Sequence, residues 1–162
     1  MTALRIATAD DADAIWAVLE PMIRAGETYA LDRTMSRDAA LAYWMGADKQ
    51  TLVAIDAAGL VLGTYYCRAN QAGGGAHVAN CGYVVAAHAA GRGVARAMAQ
   101  DSFARAGALG FTAMQFNFVV SSNAAAVALW QKLGFAVVGR LPGAFDHPTL
   151  GLVDALVMHR AL

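Results

Sequence analysis

The sequence predicts a mixed α/β (α+β) fold in one domain, residues 1–162, with about seven strands and four helices. Three observations carry this. The chain of 162 residues has the size of one ordinary domain and can bury a core without disulfides or metals. Between Thr51 and Ala86, three β-branched and aromatic runs alternate with turn residues, the pattern of antiparallel hairpins. After Ala86 the pattern changes to helix, strand, helix and two final strands.

Taken in order, Leu4 to Ala7 reads as a short first strand. Thr8 then caps a helix from Asp10 to Arg24, where Asp10, Asp11 and Asp13 favour the positive end of the helix dipole and Pro21 should kink the last turn. AGETYALDRTM, Ala25 to Met35, is a loop rich in polar and aromatic side chains and suited to lining a pocket; Ser36 starts a second helix through Gly46. The strands TLVAID, LVLGTYYCRA and HVANCGYVVA follow, punctuated by AAG and NQAGGG. In the helix Gly91 to Leu109, one face carries Met98, Ala99, Phe103, Ala106 and Leu109, with Arg96, Gln100, Asp101 and Arg105 outside it, so this helix should cover a sheet. Strand Phe111 to Val120, helix Asn123 to Leu133, and strands Phe135 to Arg140 and Leu152 to His159 complete the chain. Gly110 and Gly134 fall just past two helix ends, where a left-handed residue usually closes the helix.

Composition removes several classes of function. Twelve basic and twelve acidic residues cancel without forming blocks, so the electrostatic footprint of nucleic-acid binding is missing. The 58% hydrophobic share comes largely from alanine, and no apolar run approaches the ~20 residues of a membrane span. Cys67 and Cys81 stand singly on separate strands without CxxC spacing or a nearby histidine pair; they read as buried small hydrophobes, and no metal is expected. The start, MTALRIATADDADAIW, lacks the parts of a signal peptide, which makes the expected location cytoplasmic.

The chemistry-bearing stretch is HAAGRGVARAMA, His88 to Ala99. A strand, a Gly-x-Gly turn and an immediate helix bring backbone N–H groups and the positive helix end together, a natural seat for phosphate. A phosphate loop of the GxxxxGK type would need a lysine and a following hydroxyl that this turn lacks. A dinucleotide turn would need a third glycine where Arg96 stands, and the next strand, FTAMQFNFVV, has no acidic residue for a ribose.

Ala90-Gly91-Arg92-Gly93-Val94-Ala95 resembles the Q/R-x-x-G-x-G/A signature of the GNAT superfamily of acetyl-CoA-dependent N-acetyltransferases, and it follows a strand, Tyr83-Val84-Val85, like that family's fourth. The block Asn123 to Phe135, NAAAVALWQKLGF, is similar to the family's N-x-x-A-x-x-L-Y-x-K-x-G-F. The resemblance covers nearly the whole chain. It implies a mixed, mostly antiparallel, splayed sheet with helices on both faces and acetyl-CoA as co-substrate between strands four and five. Its diphosphate would rest on Gly91, Arg92, Gly93, Val94, Ala95 and Arg96, and its pantetheine arm and thioester on the backbone of Val84 and Val85 and beside Asn123 and Trp130. A homodimer is also implied.

Two departures from the family pattern matter. Ala90 replaces the Arg or Gln at the edge of the turn, which shifts the load to amides and to Arg92 or Arg96. Trp130 stands where much of the family has a tyrosine that protonates the departing sulfur; an indole N–H donates a hydrogen bond but is no acid near neutral pH. A thiol of pKa ~8.5 is nonetheless a fair leaving group, and a general acid adds only about 10² to 10⁴ in rate. The fourth strand offers no carboxylate as a base, and the fifth has Gln115 and Asn117, so Glu27, His88, Asp146 and His147 are the loop candidates for taking the amine proton, with Tyr29 and Asn117 as substrate contacts. Cys81 lacks an activating histidine, and nucleophilic catalysis through it is a weaker alternative.

The expected reaction is direct attack of a small-molecule amine in a ternary complex. The tail LWQKLGFAVVGRLPGAFDHPTLGLVDALVM resembles bacterial members akin to the fungal azetidine-2-carboxylate acetyltransferases, which implies an amino acid or amino-acid-like amine. A peptide N-terminus, a polyamine or an amine-bearing toxin stays open, as does a non-catalytic CoA-binding or sensing module.

Overall fold

The computed structural model describes residues 2–162. Its strands are β1 (Ala3–Ile6), β2 (Gln50–Ile55), β3 (Val61–Ala69), β4 (Val78–Val85), β5 (Ala113–Val120), β6 (Ala136–His147) and β7 (Gly151–Ala161). The helices are α1 (Ala12–Ala25), α2 (Arg37–Trp44), α3 (Val94–Ala108) and α4 (Ala124–Lys132). All seven strands form one sheet in the order β1-β2-β3-β4-β5-β7-β6. Neighbours are antiparallel except β4 and β5, which run parallel.

Helices cover both faces, as expected. On one face α1 buries Ile15, Leu19 and Ile23, and α2 buries Trp44, whose indole N–H donates 3.0 Å to the Thr64 hydroxyl of β3. On the other, Met98 of α3 sits against Gly63, where an added Cβ would come within 3.1 Å of the methionine methyl and 2.8 Å of the Val84 carbonyl. Ser102 of the same helix bonds the Tyr83 hydroxyl at 2.7 Å. Trp130 of α4 packs beside Tyr83, so α4 shares that face with α3.

Several boundaries and placements differ from the sequence reading, each for a physical reason. Gly91 and Gly93 take left-handed φ values of 74° and 77°, so α3 begins only at Val94. Leu109, assigned to its buried face, is 57% exposed because the helix ends at Ala108, and Ser102 fills the face instead. The sixth strand continues past Arg140 to His147. Pro142 is tolerated because β6 is an outer strand, and the register breaks between Leu141 and Phe145 in a bulge where Gly143 adopts φ 56°. Asp154 of β7 holds that bulge, accepting from the Gly143 N–H at 2.9 Å and from Arg140 at 2.6 Å. α1 runs unbroken through Pro21 and closes on Gly26 at φ 65°. Ser36 caps α2 as expected, its hydroxyl accepting from the Ala39 N–H at 3.2 Å, and Gly110 and Gly134 close their helices at φ 88° and 90°. Among the described residues no helix is long and apolar enough to cross a membrane.

Candidate active site

The sheet opens at its centre. β4 and β5 pair only at Val78↔Ala113 and Ala79↔Met114. At the next position the buried Asn80 side chain reaches across, its Nδ2 donating 2.9 Å to the Gln115 carbonyl. Beyond it the strands diverge around a cleft of about 460 Å³, bounded by β3, β4, β5, the start of α4 and the loop residues Thr28 to Leu31. β5 adds a bulge here, since its register with β7 shifts between Phe116 and Val119, which frees Asn117 and Phe118 from pairing.

The ladder with β3 determines which β4 peptides face the opening. Asn70 N–H bonds the Val78 carbonyl and Ala86 N–H bonds the Leu62 carbonyl, and the register between them is continuous. Antiparallel pairs alternate between hydrogen-bonded and non-hydrogen-bonded. The peptides of Asn80, Gly82 and Val84 therefore bond β3, whereas those of Cys81, Tyr83 and Val85 turn toward the cleft. Of the two valines assigned to the cofactor backbone, the register directs Val85 to the opening and Val84 to its neighbour strand. The Tyr83 peptide is already taken: its N–H donates to the Tyr29 hydroxyl at 2.8 Å, and that hydroxyl donates to the Tyr83 carbonyl at 3.1 Å.

The walls are aromatic and amide-rich. Trp130, 8% exposed, contacts Phe116 and Tyr83 with ring centroids 4.8 and 5.0 Å away. Tyr66 and Tyr43 meet edge to face at 6.2 Å on the opposite side. Gly82 leaves room for Tyr66, because an added Cβ would lie 2.6 Å from its ring. Among the described residues Arg68 is the one charged side chain lining the cleft, and no Asp, Glu, Lys or His lines it. Burial pushes the hydroxyls of Tyr29, Tyr66 and Tyr83 well above the usual tyrosine range, so none of them is an anion near neutral pH. Burial likewise raises the Cys81 thiol, and its neighbour Cys67 adds to the effect. That shift opposes a nucleophilic role for Cys81.

At the outer end, β4 passes through the short turn Ala87–Ala89 into the glycine motif. The N–H groups of Gly91, Gly93, Val94, Ala95 and Arg96 have no acceptor among the described residues, since the first intrahelical bond runs from Ala97 to the Gly93 carbonyl. A Cβ added at Gly91 or Gly93 would meet no atom within 4 Å. The space above the turn is thus open, with free donors and the positive end of a 15-residue helix facing it. Arg92 and Arg96 are exposed beside it.

Of the sequence-predicted residues, Tyr29, Val84, Val85, Asn117, Asn123 and Trp130 all line the cleft. Asn123 serves two purposes, capping α4 by accepting from the Ala126 N–H at 3.3 Å while bordering the opening. Ala126 joins it there. Glu27, His88, Asp146 and His147 do not line the cleft. Asp146 and His147, expected in a loop, end strand β6 opposite Leu152 and Gly151, and His147 Nδ1 accepts the Thr149 and Leu150 N–H groups at 3.2 and 3.3 Å, closing its own turn. His88 borders a second depression of about 470 Å³ between α1 and β3. Arg68, Asn80, Tyr43 and Tyr66 were missed by the sequence reading: an Arg or Asn within a strand carries no motif, and only the opening of the sheet singles them out. Among the described residues no group of three His, Cys, Asp or Glu side chains gathers as metal ligands.

Residues 12–135 match the model of the acetyltransferase (GNAT) family. The chain belongs to that family. A GCN5-related N-acetyltransferase from Kribbella flavida is 48% identical and superposes with a TM-score of 0.95 over 99% of this chain and 98% of that one. A GNAT phosphinothricin acetyltransferase from Sinorhizobium meliloti, solved in complex with acetyl-CoA, is 24% identical with a TM-score of 0.86, covering 99% and 88% of the two chains. N-acetyltransferase aca1 of Schizosaccharomyces pombe is 27% identical over 137 residues; the match takes in 75% of this chain and 66% of that protein's length. GNAT acetyltransferases use acetyl-CoA as donor, and the free amides of the glycine turn fit a diphosphate such as it carries.

Proposed function

We propose that this GNAT protein transfers the acetyl group of acetyl-CoA to the amine of a small molecule, an amino acid or analogue, by direct attack in a ternary complex. The observation that carries the reading is the opening between β4 and β5, with unpaired peptides on one rim, aromatic walls, and a glycine turn with free N–H groups at its outer end.

Bound acetyl-CoA supplies the activated thioester. The residues divide the remaining work. Gly91, Gly93, Val94, Ala95 and Arg96 offer N–H donors to a diphosphate, with Arg92 and Arg96 adding charge. Val85 offers its N–H along the opening, in position to bond a pantetheine amide or to stabilise charge developing on the thioester oxygen. Trp130 and Phe116 would keep water from the aromatic wall beside a bound thioester. Since no carboxylate or imidazole among the described residues lines the cleft, the amine enters already neutral, and kcat/KM rises with pH until the acceptor's own ammonium has titrated.

Mixing protein, acetyl-CoA and a panel of amines while following free thiol tests the reading. Thiol release accelerated by amino acids or their analogues is the expected result. The second reading, a CoA-binding or sensing module without turnover, is favoured by the same lack of a base and by the tryptophan at the acid position. It wins if acetyl-CoA raises the melting temperature yet no amine accelerates release. A peptide N-terminus as acceptor wins if only N-terminal peptides do so.

A further inference from the structure

Resting on the acetyl transfer just described, we infer that Arg68 is the acceptor-selecting residue and that it selects amines which carry a carboxylate. Arg68 stands on β3 directly opposite Asn80, at the closed end of the split. Its Nε is buried and has no hydrogen-bond partner among the described residues. A guanidinium has five N–H donors in a planar fork, and leaving one orphaned in a half-buried site is unfavourable unless a ligand satisfies it. Its ionic neighbour, Asp48, is 3.6 Å away, outside good hydrogen-bond range, 58% exposed, and engaged at 3.0 Å by Lys49. Lys49 in turn lies over the Tyr43 and Tyr66 rings at 5.0 and 5.6 Å, behind the wall of the same end. Asp48 and Lys49 cancel each other. The closed end keeps one net positive charge, borne by Arg68, whose side chain remains 32% exposed.

Among the described residues the rest of the lining is neutral. A cleft with one cation and no acid repels a polyamine and gives an ordinary monoamine nothing to pair with. An amine that carries a carboxylate fits: its carboxylate takes the guanidinium fork in two parallel bonds, the geometry in which arginine is strongest. The scale is right as well. Tyr83, midway along the open rim of β4, is three residues from Asn80, about 10 Å along a strand, a span that the arginine stem and a molecule of amino-acid size bridge together. Tyr66 and Gly82 form the next pair along the same face, so the aromatic ring flanks the acceptor beside its charged end.

The test pairs each proteinogenic L-amino acid with its carboxamide, adds spermidine, and measures kcat and KM for thiol release at fixed acetyl-CoA. At neutral pH more of the carboxamide is present as free amine, because the carboxylate of the acid raises its neighbouring ammonium pKa, so a preference for the acid comes from the protein. At least one acid is expected to exceed its carboxamide by about 10- to 100-fold in kcat/KM, the range of a lost hydrogen bond to a charged group. Arg68→Gln should bring that ratio near one, mainly through KM, and Arg68→Lys should restore part of it; melting temperatures verify that both fold. Carboxamides or spermidine turned over as well as acids by the unaltered protein overturn the inference without reference to any variant, as does an equal loss for both substrates in Arg68→Gln. Absence of thiol release with every amine overturns the transfer reading itself, and the role of Arg68 with it.

Discussion

Removing one oxygen atom at Tyr29 tests how the open rim of β4 is held. Tyr29→Phe keeps the ring, which packs edge-on against Trp44 at 6.0 Å, and deletes only the hydroxyl that accepts from the Tyr83 N–H at 2.8 Å and donates to its carbonyl at 3.1 Å. Each neutral hydrogen bond contributes about 0.5–1.5 kcal/mol net, so two give about 2 kcal/mol. Water entering from the cleft recovers part of this and sets a floor of about 1 kcal/mol. In a protein of this size each kcal/mol moves the melting temperature by about 2–4 °C, which places the expected fall between about 2 and 8 °C. Thermal unfolding followed by circular dichroism reads the shift, and amide exchange at Tyr83 should accelerate in parallel. The acceptor KM should rise severalfold, because the hydroxyl also tethers the Ala25–Met35 loop to the strand. A melting temperature within 1 °C of the parent, together with an unchanged Tyr83 exchange rate, would refute the assignment.

Three further outcomes are expected. Arg5, with bonds of 2.7 and 2.8 Å, and the Thr8 N–H hold the Asp11 carboxyl at about 2, against an ordinary 3.8. A depressed pKa gives stability that is complete above the unfolded value and lost as pH falls toward the folded one, here about 2 kcal/mol; Asp11→Asn should melt about 4–8 °C below the parent at pH 7 and converge with it near pH 2, whereas a gap independent of pH would contradict the ion pair. Asn80→Ala and Asn80→Asp both leave the Gln115 carbonyl without a donor and should each cost about 1–3 kcal/mol in chemical denaturation, while an unaffected midpoint would show that the amide does not hold the closed end. Trp130→Phe should lower kcat less than tenfold, since no acid is removed; a thousandfold loss would show that the indole N–H is required.

The fold was legible where local rules dominate. Ser36, Gly110 and Gly134 stood at helix ends because caps and left-handed residues are read over one turn of chain. Strand β6 was cut short because Pro142 reads as a break; only its outer position and the Gly143 bulge, properties of the whole sheet, let it continue. Leu109 illustrates the same limit, since a helical face continues in periodicity after the helix itself has ended. At the site, the glycine turn and the Asn123–Phe135 block were visible as motifs. The side chains that shape the acceptor end were not: Tyr29 reaches 54 positions along the chain to Tyr83 and Asn80 reaches 35 to Gln115, contacts that exist only once the sheet is assembled. Glu27, Asp146 and His147 attracted notice for their chemistry alone, and the fold sends them elsewhere.

Asn80 carries a lesson about how an opening can be made in a β-sheet at little energetic cost. A ladder that stops abruptly strands a donor on one side and an acceptor on the other. Here a side-chain amide imitates one more rung, so the Gln115 carbonyl sees the partner a continuing strand would have offered, although the backbone has already turned aside. The fork is therefore a finished edge. It has no reason to zip shut when empty, and a guest entering it need not break a bond at its apex before making its own.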